Sequence, residues 1–522
     1  MAGPVAEGQL LPMASCPADD AISFINSGAM LRKLEEGSAF GTVQKRVDTH
    51  AAHVFLTADR AWKLKRPVRY EYLDFSTPEL RRQALERELA LNRRTAPELY
   101  LAVHRLTADV SGDLNVDGSG ETIDWVLEMH RFPDGAVLSD VARAGDLSPE
   151  LVQAMADEVA GFHASAAHAT GSGAERLTRV LDGNAVSLAQ ASLDVASGTL
   201  ERLVARQREE LRRHAALLDA RAPGGRVRRG HGDLHRGNIA VLEGRPVLFD
   251  CLEFSDELAT TDVLYDLAFL AMDLLHAGDA RAASMLANRY CDVSGEDESG
   301  WALFPLFMSM RATIRAHVRA AAGDEQEALG YLRLASELLV EAPVRLIAIG
   351  GASGTGKSTL AGRIAPMIGG PPGARVLRSD VLRKRKAGVP PETRLAASSY
   401  TPQSSRAVYD HLQDLAQAHL RRGSSVILDA AFLDDAERKT AEALASANGL
   451  RLTGIWLTAD EHDRIRRLNA RSGDASDADA RVAAAQSRRL DQLPAWSILD
   501  AGRPLETVER EAQDLIRGGA PC

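Results

Sequence analysis

The chain has 522 residues, 45% of them hydrophobic and 26% charged, which is the composition of ordinary folded domains at a length beyond one core, so two or three domains are expected. No run of about 18 uncharged apolar residues occurs, so no membrane-spanning helix is expected. The net charge of −10 is uneven: from Val344 onward 26 Lys+Arg face 21 Asp+Glu (+5), whereas the preceding part has 36 against 51 (−15), which argues against a nucleic-acid surface there.

In chain order, residues 1–25 contain Ala, Gly and Pro without a basic start or a long apolar stretch, and read as a disordered tail rather than a signal peptide. Cys16, Cys251, Cys291 and Cys522 lack C-x-x-C spacing, so reduced thiols in a cytoplasmic protein are expected, with no zinc site or disulfide framework. His53-Val54-Phe55-Leu56 and Ala61-Trp62-Lys63-Leu64 predict a hairpin turning near Ala58-Asp59. Residues 78–94 predict a helix with Pro78 in its first turn and Leu85 and Leu89 on one face. Val126–Met129 is a further strand, and 148–220 is mostly helical, so a small strand-rich lobe precedes a larger helical one.

Residues 231–239 read His-Gly-Asp-Leu-His-Arg-Gly-Asn-Ile, and Pro246–Phe249 predicts a strand ending in Asp250. Asp233 and Asn238 are five apart, the spacing at which a kinase catalytic loop places the acid that accepts a hydroxyl proton and an amide that helps hold Mg²⁺. Asp250 would supply a further hard oxygen, a set that suits magnesium. A zinc reading of His231 and His235 is disfavoured by the glycines and the missing H-E-x-x-H glutamate. Such a loop calls for a phosphate-facing lysine and a carboxylate partner. Lys63 on the hairpin and Glu88 on the following helix fill these roles, with Lys65 and Glu86 as rivals.

Residues 325–341 predict a helix, and Glu341-Ala342-Pro343 marks the clearest boundary. A buried strand at 344–349 then leads into Gly351-Ala352-Ser353-Gly354-Thr355-Gly356-Lys357-Ser358, a match to G-x-x-x-x-G-K-[ST], and a helix over 357–367. Glycines let backbone N–H groups turn toward phosphate oxygens, Lys357 places a charge on the β- and γ-phosphates, and Ser358, with Thr359 beside it, offers a hydroxyl to Mg²⁺. Predicted strands end in Asp380 and Asp429. Asp429 is expected in the magnesium shell and Asp380 beside the acceptor hydroxyl, unless either merely caps a turn. Residues 464–471 predict a basic helix whose Arg467 and Arg471 share a face and would neutralise charge during transfer. Arg383-Lys384-Arg385-Lys386 reads equally as an anion site or a solvated charge run.

Two resemblances are carried by these residues. Residues 344–510, through GASGTGKST, RSDVLRK, VILDAAF and Arg464–Gln486, resemble P-loop kinases of the gluconate-kinase and polynucleotide-kinase type and, more distantly, zeta-toxin-like kinases. That implies an α/β domain with a five-stranded parallel sheet and use of ATP. Residues 30–320, through HGDLHRGN and FDCLEFSDELATTDVLYDLAFLAMDL, resemble the aminoglycoside phosphotransferase family, which implies an α+β bilobal protein-kinase-like fold with Asp233 as base and Asn238 and Asp250 on Mg²⁺. Leu258-Ala259-Thr260-Thr261 departs from that pattern in lacking an arginine, a difference that touches the acceptor pocket. The order of the two parts resembles bifunctional aminoglycoside phosphotransferase/ATP-binding proteins, with domains expected at 26–340 and 344–522. The expected activity is transfer of the γ-phosphoryl of MgATP to hydroxyls of small molecules, without membrane or nucleic-acid partners. The rival readings are a nucleotide-gated regulator and a toxin-like nucleotide-sugar kinase.

Overall fold

The computed structural model describes residues 28–49, 51–70, 73–191, 193–295, 298–470, 475–478 and 496–518, and the tail expected at 1–25 lies outside them. Contacts divide the chain into two units. One runs to His276 and resumes at Phe307–Ser336; the other joins Ala277–Leu306 to everything described from Glu337 on.

The first unit opens with β1 (Lys45–Asp48), β2 (Ala52–Leu56) and β3 (Arg60–Lys65), followed by β4 (Tyr100–Ala108), β5 (Leu114–Val116) and β6 (Glu121–His130). They form one sheet in the order β1-β2-β3-β6-β4-β5, with every pairing antiparallel. The predicted hairpin is β2–β3, with Val54 opposite Lys63. Period-two alternation sorts neighbours to opposite faces. Val126 joins Phe55, Leu64 and Leu106 in one core, while Leu127 joins Leu85, Tyr100 and Phe249 in another.

Leu85 belongs to α1 (Pro78–Asn92), which starts where expected because Thr77 caps it, accepting from the Leu80 amide at 3.2 Å, and Pro78 occupies the first turn. This helix is tied to the sheet by a buried pair. Arg81 Nε lies 2.9 Å from Asp124 Oδ1 and Arg81 Nη1 donates to the Phe75 carbonyl at 2.8 Å; neither Arg81 nor Asp124 reaches solvent. The helical part contains α2 (Pro149–Ser165), α3 (Gly173–Gln190), α4 (Thr199–Arg221) and α5 (Val263–His276). A hairpin of β7 (Ile239–Leu242) and β8 (Arg245–Leu248) stands between α4 and α5 in sequence. The predicted strand end moves: β8 stops at Leu248, and Asp250 lies two residues beyond it in the left-handed region at φ 62°.

The second unit contains α6 (Ala280–Val293). The chain then runs through α7 (Phe304–Ala321) and α8 (Glu325–Glu337), the latter ending four residues before the sequence expectation, and enters the P-loop region. There β9 (Leu346–Gly350), β10 (Arg375–Arg378), β11 (Val426–Asp429), β12 (Leu452–Thr458) and β13 (Ser497–Asp500) make a five-stranded, wholly parallel sheet in the order β10-β11-β9-β12-β13. All five residues of β9 are buried, as a central parallel strand requires. Ile347 and Ile349 face one core layer, and Leu346 and Ala348 the other. β9 leads to α9 (Lys357–Ile364), and β10 to α10 (Ser379–Lys386). Here too a strand is shorter than expected: Ser379 and Asp380 form the first turn of α10, where a carboxylate is favoured by the helix dipole.

Replacing Arg81 with Met leaves the Asp124 carboxylate buried without its cation. Urea unfolding of Arg81→Met is expected to show a loss of about 3–5 kcal/mol in the first unit; an unchanged midpoint would mean that this pair does not hold α1.

Candidate active sites

The first site collects residues from three remote parts of the chain. Lys63 Nζ lies 2.6 Å from Glu88 Oε1 and 2.9 Å from Asp250 Oδ1. The sequence rivals resolve differently from one another. Lys65 also reaches Glu88, through Oε2 at 2.6 Å, and lies 2.6 Å from Glu253, so Glu88 bridges both lysines. Glu86 is instead exposed and pairs with Arg82. Burial opposes ionisation of Glu88, but the two ammonium groups outweigh it and hold the carboxyl down to about 2.

The loop 231–238 is built around Asp233, whose Oδ2 and backbone carbonyl accept from Asn238 Nδ2 at 3.0 and 2.9 Å. Asp233 Oδ1 and Asn238 Oδ1 are buried without an internal hydrogen-bond partner. Burial opposes ionisation of Asp233 as well; His235, Arg315 and His231 together keep the carboxyl below its ordinary value. The β7–β8 hairpin then brings the downstream acid close, because the Asn238 carbonyl accepts from the Phe249 amide at 3.0 Å, one residue before Asp250. The Asp250 amide donates to Tyr100 Oη at 3.1 Å and the Cys251 amide to Asn92 Oδ1 at 2.8 Å, which fixes this turn against β4 and α1. Among the described residues no three His, Cys, Asp or Glu side chains cluster as a metal site.

Two positioning acids were not singled out in the sequence. Asp266 takes the His231 amide at 2.7 Å and the Gly232 amide at 2.9 Å, one on each carboxylate oxygen. Asp273 takes the Arg236 amide and guanidinium, both at 2.9 Å. Their signal was legible: α5 is buried almost throughout, and its two deeply buried acids lie seven residues apart, hence on one face. Lys63 and Asp250 open on a cavity of about 370 Å³ that Val54, Ala61, Met129 and Phe132 also line, within the size range of small-ligand pockets.

The loop of the second site is contiguous in sequence. β9 ends at Gly350, the loop 351–356 follows, and α9 begins at Lys357. Gly351 has φ 137°, and a Cβ there would lie 2.5 Å from the Leu457 carbonyl oxygen, so no other residue fits. Lys357 Nζ donates to the Gly351 and Ala352 carbonyls at 2.9 and 3.2 Å, and Thr355 Oγ1 to the Ala352 carbonyl at 2.9 Å. Ser358 Oγ donates to Asp429 Oδ2 at 2.6 Å, which joins the two groups expected around magnesium. Ser353 is half-buried, Gly354 and Gly356 have positive φ, and Thr359 is exposed. Asp380 is raised above the ordinary carboxylate range by burial, against the pull of Arg378, and hydrogen-bonds Ser476. Arg467 reaches the loop, with Nη1 3.5 Å from the Thr355 carbonyl and Nη2 2.7 Å from that of Ala501. Its helix is Glu461–Asn469, and Arg471 lies outside the described residues.

Two family models match the chain, and the first extends into the stretch Ala277–Leu306 that packs in the second unit. Residues 49–304 match the phosphotransferase enzyme family, and residues 346–493 match an AAA domain. Uncharacterized proteins of Mycobacterium tuberculosis and Mycobacterium bovis are each 32% identical over 490 residues, covering 90% of this chain and 95% of theirs. Among solved structures, an amicoumacin kinase in complex with AMP-PNP, Ca²⁺ and Ami overlaps 61% of this chain and 94% of its own at 15% identity and a TM-score of 0.39. A gluconokinase from Sinorhizobium meliloti overlaps 34% of this chain and 94% of its own at 20% identity and a TM-score of 0.26. The chain belongs to the family of its mycobacterial relatives and is an ATP-dependent kinase with an aminoglycoside-phosphotransferase-like domain followed by a P-loop kinase domain.

Proposed function

We propose that each unit moves the γ-phosphoryl of MgATP to a hydroxyl of a small molecule, so that the chain holds two separate phosphotransfer sites. The observation that carries this reading is the Asp233–Asn238 pair: bonded to each other, they keep Asp233 Oδ1 and Asn238 Oδ1 unpartnered in a buried place. Unpaired buried oxygens are costly, and they persist where a ligand completes them.

In the first site Asp233 Oδ1 receives the proton of the acceptor hydroxyl. Lys63, oriented by Glu88, binds phosphate oxygens, and Lys65 holds Glu88 from its other side. Asn238 and Asp250 are the oxygens suited to magnesium. In the second site the 351–356 amides and Lys357 bind the phosphates, Ser358 and Asp429 are the magnesium-side pair, and Asp380 orients the acceptor hydroxyl while Arg467 offsets charge on the loop side. Magnesium, when bound, neutralises the phosphate charge that builds up during transfer. Catalysis in both sites then rests on positioning and charge neutralisation.

Incubating the full chain with γ-labelled ATP and a metabolite extract is expected to give two labelled products. Asp233→Asn removes one of them, with a fall of about 10²–10⁴-fold in its rate, and leaves the other; both products surviving Asp233→Asn would sink the assignment of the base. By calorimetry the intact chain should bind two equivalents of ATP and Lys357→Ala one. A single equivalent for the intact chain would mean that one unit has no nucleotide site.

A further inference from the structure

Three of the four cations in the basic run of α10 are engaged internally, with Lys386 exposed, and this shows what holds the helix. Arg383 Nη1 donates to the Ser399 carbonyl at 3.1 Å and its guanidinium lies 4.7 Å over the Tyr400 ring. Lys384, without solvent contact, pairs with Asp477 and donates to the Thr393 carbonyl. Arg385 pairs with Glu298. The first two braces come from the P-loop region itself. The third comes from Ala277–Leu306, a stretch that chain order places between α5 and most of α7 and that packs in the second unit.

Glu298 is 3% exposed and is gripped from three directions. Its Oε2 lies 2.9 Å from Arg375 Nε and 3.0 Å from His419 Nε2, and its Oε1 accepts from Arg375 Nη2 at 3.1 Å and from Arg385. Burial opposes its ionisation, and Arg375 and His419 reverse this, holding it well below the ordinary value. Its backbone stands at φ 67°, a conformation that a residue with a side chain keeps only when its surroundings impose it. Arg375 opens β10, and Trp301 lies against its guanidinium at 5.9 Å. The same stretch closes the free edge of β10: Asn288 Oδ1 accepts from the Val376 amide at 2.8 Å and its Nδ2 donates to the Ala374 carbonyl at 3.3 Å, as a neighbouring strand would.

We propose that Glu298 is a positioning residue of the P-loop phosphotransfer site, a buried carboxylate that clamps the start of β10 to the end of α10 and thereby sets where Asp380 stands. The proposal rests on the reading of Asp380 as the acceptor-side residue. Geometry favours positioning over bulk stability. A buried ion cluster contributes little net stability compared with apolar packing, and its groups offset their desolvation only when they meet in a well-defined geometry. Glu298 joins the two elements on either side of the Arg378–Ser379–Asp380 turn through one side chain.

The test uses the full chain carrying Asp233→Asn, so that turnover reports the P-loop site, with water as the acceptor probe and Lys357-dependent release of γ-phosphate as the signal. Glu298→Gln is expected to lower kcat by about 10- to 100-fold with KM for ATP within about twofold. Hydrogen exchange should accelerate over 379–386 and stay unchanged over 357–364. Glu298→Asp, which keeps the charge, should recover part of kcat. Arg385→Met, which removes only the α10 arm, should reproduce the exchange change if Glu298→Gln folds poorly. Unchanged kcat with unchanged exchange at 379–386 overturns the proposal, and so does a parallel rise in KM and in exchange over 357–364, since both would mark general loosening. Asp380→Asn run alongside separates the two readings: full hydrolysis in that variant removes the role of Asp380, while exchange at 379–386 still decides the clamp.

Discussion

Glu88 has no contact with solvent, and two ammonium groups lie 2.6 Å from its two oxygens. A carboxylate so far from water stays ionised only if cations or N–H groups replace the lost hydration. That constraint recurs wherever this molecule places a functional element. Glu88 fixes β3 relative to α1, Asp266 fixes the two backbone amides before Asp233, and Glu298 fixes β10 relative to α10. In each case a buried acid is the joint, and the residue proposed to carry the chemistry is one of the groups it binds, as with Lys63, or follows them in the chain, as with Asp233.

The proposed function asks the two units to meet the demands of phosphate binding by different means. In the P-loop unit the work falls to the main chain. Successive amides in a glycine-bearing loop need no side chains to converge, so seven or eight consecutive residues suffice. In the first unit the positive charge and the hard oxygens are side chains, carried on β3, on the loop 231–238 and beyond β8. They converge only because α1, β4 and the β7–β8 hairpin bring them together, with Tyr100 and Asn92 holding the turn at Asp250. A side-chain site is therefore as good as the packing beneath it, and the buried Arg81–Asp124 pair under α1 belongs to that support.

The basic run 383–386 illustrates how charge in a sequence misleads without contacts. Four consecutive cations look like an anion site. In the fold Arg383 stacks on Tyr400, Lys384 is buried on Asp477, Arg385 pairs with Glu298 and Lys386 is exposed. The free edge of β10 makes a related point. An unpaired edge strand is a liability, and here it is covered by Asn288 from a stretch that belongs, by chain order, with the residues matched to the phosphotransferase family.

Both kinase-like units were legible in the residues themselves, because each motif encodes its own local geometry. Strand, glycine-bearing turn and helix follow one another within twenty residues around Lys357, and Asp233 and Asn238, five residues apart, meet within one short loop. The hairpin at β2–β3, the start of α1 and the parallel sheet were legible for the same reason, through periodicity, Thr77-Pro78 and a run of apolar strand residues. Tertiary structure decided what depends on distant partners. It made both Lys63 and Lys65 neighbours of Glu88 and put Asp250 beyond its strand in a left-handed turn. It set Asp380 in a helix instead of at a strand end, and gave Glu298 to Arg375, seventy-seven positions away. Those outcomes turn on which buried charge finds which counter-charge, and desolvation assigns such partners only after the chain has closed around them.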